Sequence, residues 1–374
     1  MRVLHVTPCF PPTWAYGGVP RVVYALARAQ VAAGMQVRVW TTDAFDAERR
    51  SGQPDRYELD GIEVIVTRLA SNRLAWQHQL YLPTSRPPLD NIDVIHLHAH
   101  RHLLNWLAFR AAAGRPVVQT PNGTLPRIER KQGIKVLWDK CFDGDVPRRA
   151  DRVVAVSKAE VRQLLAAGVA ADRIARVPNP VDLGEFESLP PRGAFRAARG
   201  LGGGPIVAYL GQVSPRKGVD HLVAAFAHGA LAPATLVVAG AARGMSVPSA
   251  PGVVFTGTLE GRERLALLAD ADVVAYPSSD EVFGLVPFEG LLAGAPVVVG
   301  DDCGCGELIV EAGAGLLSRH GDVDGLRSAI RRLLEDRVVA EAMVERGRRY
   351  VAQHLAPARV AADYTALYED ACRP

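Results

Sequence analysis

The sequence predicts an α/β protein built from two parallel-sheet domains. Three observations carry this. At 374 residues the chain is long for one domain, so two are expected. Short apolar, β-rich runs alternate with helical stretches through both halves. The stretch 270–300, DADVVAYPSSDEVFGLVPFEGLLAGAPVVVG, contains a whole strand–loop–helix–strand unit.

Residues 2–7 read as a buried first strand. A long loop follows and ends at Gly17 and Gly18. Pro20 then opens a helix to about Ala33, with Gly34 as its stop. A glycine pair at a strand-to-helix turn suits phosphate, although the dinucleotide fingerprint G-x-G-x-x-G is absent. Strands are expected at 37–42 and 62–67, with a charged surface excursion between them. Residues 91–97 form a strand running into His98, Ala99 and His100. Histidines 96, 100 and 102 lack acidic or cysteine companions at metal spacing, which argues against a metal centre. A strand at 115–120 leads into PNGTLP. Ile134, Leu137, Trp138, Cys141 and Phe142 then fall on one helical face, as expected of a core-packing helix. The D-G-D at 143–145 reads as a turn and cap. After a strand at 152–156, Ser157 and Glu160 form a capping box. The half closes with a strand at 174–177.

Residues 188–204 turn Pro-, Arg- and Gly-rich and are expected to be the linker. A strand at 206–210 restarts the sheet, and its loop, GQVSPRKG, leads into a helix. Lys and Arg at such a turn suit a diphosphate, because charged hydrogen bonds contribute about 1.5–3 kcal/mol each. Strands at 235–239 and 253–255, a helix at 261–269 and the 270–300 unit follow. There, Pro287 suits the first helical turn, and Gly294 with Pro296 stops the helix. Cys303-Gly-Cys305 has no second ligand pair and is insufficient for zinc. Helices are expected at 322–334, 340–354 and 356–371.

Glu281 lies in the loop past a strand's carboxyl end, and Glu289 lies early in the next helix. Ligands of open α/β sheets bind at that edge. The free amides of Gly284, Leu285 and Val286 would face the same crevice, where a helix start attracts phosphate. An anion seat flanked by two hydroxyl acceptors suits a nucleotide diphosphate carrying a sugar. Spacing alone does not separate this from two ordinary surface acids.

The segment Glu281-VFGLVPF-Glu289 with its trailing GLLAGAPVV resembles the signature of the retaining glycosyltransferase family 4. That resemblance implies a GT-B fold: two Rossmann-like domains with parallel sheets facing a central cleft. The first, acceptor-side domain would span 1–188, with the C-terminal helix 356–374 packing back. The nucleotide-sugar domain would span 204–355. The implied roles are specific. Glu289 holds the ribose hydroxyls. Lys217, with Arg216, neutralises the leaving diphosphate. Phe283, Gly284 and Leu285 seat the donor, and Glu281 orients the sugar. His98, rather than His96, meets the sugar from the opposite wall, and Gly17 and Gly18 join the cleft. Two positions depart from the pattern. Gln212 stands where the family usually has Arg, and Asn122 where it often has His.

The expected activity is metal-independent hexosyl transfer from a nucleotide-sugar donor to a saccharide or lipid-linked acceptor, with no cofactor. The rivals are an epimerase on the same fold and a non-catalytic nucleotide-binding partner. A net charge of +3, from 43 basic and 40 acidic residues, gives no basis for nucleic acid. Five scattered cysteines suit a reducing compartment, and no targeting or spanning segment is visible, so a cytoplasmic protein is expected. Arg127, Arg130, Lys131 and Lys135 form a basic flank. It is either solvated or a surface for peripheral membrane contact at 127–135.

Overall fold

The computed structural model describes residues 1–13, 17–46, 48–127, 132–142, 144–242 and 250–373. The chain divides into two compact units, Met1–Pro180 with Pro357–Pro374, and Val181–Ala356. Each is a Rossmann-like body around one sheet.

The first unit holds β1 (Arg2–Val6), β2 (Gln36–Thr42), β3 (Arg56–Leu59), β4 (Ile62–Thr67), β5 (Val94–His98), β6 (Val117–Thr120), β7 (Arg152–Ala155) and β8 (Ile174–Arg176). Their order is β3-β4-β2-β1-β5-β6-β7-β8. Only β3 is antiparallel to its neighbour among these. It lies in what the sequence suggested was a surface excursion. Its residues alternate between exposed and half-buried, so it carries no apolar signal. The sign of a hairpin was Asp60-Gly61, whose positive φ angles of 51° and 75° suit a two-residue turn. Apolar residues fill both faces of the sheet, and the helix Pro357–Ala371 buries Val360, Ala361, Tyr364 and Tyr368 on one of them.

The second unit holds β9 (Ile206–Leu210), β10 (Thr235–Ala239), β11 (Val253–Gly257), β12 (Val273–Tyr276), β13 (Val297–Gly300) and β14 (Gly315–Ser318). All run parallel in the order β11-β10-β9-β12-β13-β14. The stretch 188–204 is part of this unit rather than a free linker. It carries the helix Ala194–Arg199, whose start is held by Asp270: that carboxylate accepts from the Gly193 amide and, at 2.8 Å, from the Arg196 amide.

The helix Gln132–Cys141 forms where the spacing predicts. Its apolar face is not core, however, because Leu137 is 63% exposed and Phe142 is 40% exposed. Asp143, Arg130, Lys131 and the Ile134 side chain lie outside the described residues. Asp145 pairs with Arg148 and caps nothing with its side chain. Among the described residues, no helix is long and apolar enough to cross a membrane.

Candidate active site

In the second unit the chain winds outward from β9 through β10 and β11, then places β12 on the other side of β9. The crevice at such a reversal, past the strands' carboxyl ends, is where open α/β sheets bind ligands. Two loops meet there. The one after β9 contains Gln212, Arg216 and Lys217. The one after β12 contains Glu281, Phe283 and Gly284.

Lys217 is 9% exposed, and its ammonium donates to the Glu281 carboxylate and, at 3.1 Å, to the Tyr276 hydroxyl. Tyr276 donates to the same Glu281 oxygen, Oε2, at 3.2 Å, and Ser278 does so at 3.5 Å. Arg216 lies 4.0 Å from that oxygen and donates to the Ser279 carbonyl at 3.4 Å. Burial, and then the Glu281 charge, push the phenols of Tyr276 and Tyr209 up, so both stay protonated donors. Tyr209 spends its proton on the Gln212 carbonyl at 2.7 Å and so fixes that backbone.

Glycines let the loops meet. Gly218 sits at φ +66°, and a Cβ there would lie 2.4 Å from the Pro277 carbonyl oxygen. Gly284 caps the helix Leu285–Ala293, and a Cβ there would lie 2.9 Å from Tyr276. No side chain caps that helix start, so its first amides and its partial positive charge face the crevice.

Glu289, on the same helix, is 7% exposed and lies 2.8 Å from Arg264 Nη1. Arg264 also pairs with Glu185 through Nη2. Burial alone would weaken this guanidinium's hold on its proton, but the charges of Glu289 and Glu185 more than offset that.

The first unit has its reversal between β1 and β5. Gly17, at φ +100°, precedes the helix Gly18–Ala32, which starts two residues before Pro20. His98 ends β5 at 1% exposure. Sequence reasoning set His98 apart from His96. Residues two apart share a face, and here both do, beside His5 on β1. Gln30 Oε1 can only accept, so His5 carries its proton on Nε2, 2.7 Å away. His5 Nδ1 therefore accepts, at 2.8 Å, the proton on His98 Nε2. His96 bonds Tyr368 at 2.7 Å and Thr120 at 2.8 Å. The three rings have ligand atoms within 4.8 Å of one another. Their nitrogens are engaged with protein groups, except that His98 Nδ1 finds no partner among the described residues. Burial pulls all three below the usual histidine range, His5 to about 4.

Ala99 and Arg101 follow at φ 62° and 63°, a conformation costly for residues with a Cβ. Asn105 holds this turn by donating to the carbonyls of His98 and Ala99 at 3.0 and 3.1 Å. Arg101 grips Asp139 at 2.8 and 3.0 Å. Burial would raise that carboxyl, but His100, Arg101 and Arg127 hold it well below the usual range. Ser157 caps its helix as expected, but Glu160 does not return to it. Its carboxylate is buried and accepts from Gly123 at 2.6 Å and Val156 at 2.8 Å; burial raises it to about 7.

Two family profiles match the chain. Glycosyltransferase Family 4 covers residues 16–185, and Glycosyl transferases group 1 covers residues 192–350. The chain is a family 4, group 1 glycosyltransferase. It is 31% identical over 252 residues to a GDP-mannose-dependent alpha-mannosyltransferase of Mycobacterium tuberculosis, over 66% of this chain and 65% of that protein. Among solved structures it resembles sucrose-phosphate synthase from Thermosynechococcus elongatus, with a TM-score of 0.74 and 21% identity over 99% and 98% of the two chains. It also resembles Anabaena HepE in complex with UDP-glucose, with a TM-score of 0.73 and 19% identity over 99% and 100%. The likeness supports the GT-B fold.

Of the residues expected from the glycosyltransferase's sequence, the structure brings Lys217, Arg216, Glu281 and the Gly284–Leu285 backbone to one crevice. Glu289 sits on the adjoining helix with Arg264 as its partner. Gly17, Gly18 and His98 belong to the first unit. Sequence reasoning missed Tyr276, Arg264 and Asn105. Tyr276 closes an otherwise apolar strand, which was the one available signal. Arg264 lies in an ordinary charged helix start that gave none.

Proposed function

We propose that this glycosyltransferase moves a sugar from a nucleotide diphosphate sugar to a hydroxyl acceptor with retention of configuration and without a metal ion. The observation that carries the reading is the meeting of Lys217, Arg216 and Glu281 beside an uncapped helix start at the second unit's sheet reversal. Two cations and the free amides of one helix start match a departing diphosphate, and charge stabilisation of a leaving group is commonly the largest catalytic term. Glu281 binds Lys217, Tyr276 and Ser278 through Oε2, so Oε1 is the oxygen to meet sugar hydroxyls. Glu289 takes the ribose hydroxyls. HepE crystallised with UDP-glucose supports a nucleotide-sugar donor, and the mannosyltransferase relative supports a hexose. Retention rests on the family pattern and on the lack of a glycosidase-type nucleophile motif. The exposed Leu137 and Phe142, near Arg127, Lys135 and Lys140, favour an acceptor carried on lipid.

The test is transfer by the full chain with UDP- and GDP-sugars, with and without acceptor. A sugar changed without any acceptor would instead mark an epimerase. Lys217→Ala is expected to lower kcat about 10²–10³-fold with the fold intact by circular dichroism. A near wild-type rate overturns the leaving-group role. Chelator should leave the rate unchanged, and proton NMR of the early product should show the donor's anomeric configuration.

A further inference from the structure

Neither the family pattern nor the sequence singles out Arg264. It is 7% exposed and lies between two carboxylates, Glu289 on one side and Glu185 on the other. The Phe186 ring lies 6.0 Å from the guanidinium carbon. Held on both sides, this planar fork is not free to swing, as a lysine would be.

Glu289 has the opposite problem. Its helix packs Phe288 and Leu291 in the core, and its own side chain is only 10% exposed. A carboxylate that buried needs a charged partner to hold it in one rotamer. Arg264 Nη1 forms an ion pair with Oε2 at 2.8 Å, which leaves the other oxygen open. A ribose presents two neighbouring hydroxyls, and an ionised, oriented carboxylate accepts from them more strongly than a neutral acid.

We propose that Arg264 is a positioning residue for the nucleotide: it holds the Glu289 carboxylate aimed so that its free oxygen meets the ribose hydroxyls. This rests on the reading of Glu289 given above. The rival is an ion pair that only stabilises the fold. Such a pair would affect every nucleotide alike.

The experiment measures binding of UDP and GDP, each beside its 2′-deoxy analogue, by titration calorimetry on the full chain. The variants are Glu289→Gln, Arg264→Met and Arg264→Lys, with transfer kinetics alongside. The wild type should prefer the ribonucleotide by about 10- to 100-fold, the value of a charged hydrogen bond. Arg264→Met should reduce that ratio to near one, raise the donor KM more than it lowers kcat, and match Glu289→Gln. Arg264→Lys should restore part of the ratio, and it decides the question if the methionine variant does not fold. A ratio retained in Glu289→Gln overturns the Glu289 reading itself. A ratio lost there but kept in the folded Arg264 variants overturns the Arg264 role alone. Equal weakening of ribo- and deoxynucleotide in those variants assigns the pair to stability and also overturns it.

Discussion

The two sheet reversals share a topology and differ in chemistry. At the second unit's edge the buried and half-buried groups form ion pairs: Lys217 with Glu281, and Arg264 with Glu289. At the first unit's edge they are neutral imidazoles joined to Gln30, Thr120 and Tyr368. Buried charge is costly and is kept where it meets a charged ligand. Buried neutral networks fix a shape at lower cost. The same sheet-and-helix plan thus carries an ion-paired edge in one unit and a neutral imidazole network in the other.

The contrast is broken most severely at Lys217, whose loss should cost the rate given above and little stability. Substitution in the first unit should do the reverse. His96→Ala takes one hydrogen bond each from Tyr368, which keeps Gln30 at 3.3 Å, and Thr120, which keeps Tyr364 at 3.1 Å, and should cost about 0.5–1.5 kcal/mol for each bond lost. Hydrogen exchange should show this as faster opening of the β1 and β5 amides, with donor affinity in the second unit unchanged.

Acid sharpens the same comparison. His5, His96 and His98 are held neutral in the fold, so the unfolded chain binds more protons below its ordinary histidine value of about 6.5. Stability should therefore fall as pH drops from 6.5 towards 4, by on the order of 3 kcal/mol for His5 alone. Glu160 works the other way. Raised to about 7, it stays protonated in the fold and costs stability as pH rises from 4.5. Urea midpoints across this range should show the acid loss in first-unit probes, such as Trp40, before second-unit ones.

Gly218→Ala tests the crowding of the charged edge. Its positive φ and the 2.4 Å approach to Pro277 should displace the Lys217 turn and weaken nucleotide binding about tenfold or more. The smallest effect is expected at Cys303, whose sulfur accepts the Gly306 amide at 3.2 Å as a helix cap. Serine caps at least as well, so Cys303→Ser should shift stability by less than about 1 kcal/mol and leave transfer unchanged. A large loss of activity would point to chemistry at the Cys303–Cys305 pair.

Much of the fold was legible because apolar runs and glycine stops are local. The unit around 270–300 was read almost residue for residue, as was the Lys217 turn. Two of the four edge strands were not: β3 alternates exposed and half-buried residues, and β14 is a four-residue strand with only Ser318 buried. The tie of residues 188–204 to the second unit depends on Asp270, 74 residues beyond Arg196, and no local pattern reports it.

By itself, the sequence determined which strands are buried and where turns need glycine. Those follow from side-chain period and backbone sterics within a few residues. Only the tertiary structure decided that His5 joins His96 and His98, since β1 and β5 become neighbours through the sheet's reversal. It alone gave Glu289 its arginine. Such pairings depend on which elements lie side by side, and that is set by packing the whole sheet rather than by any segment of it.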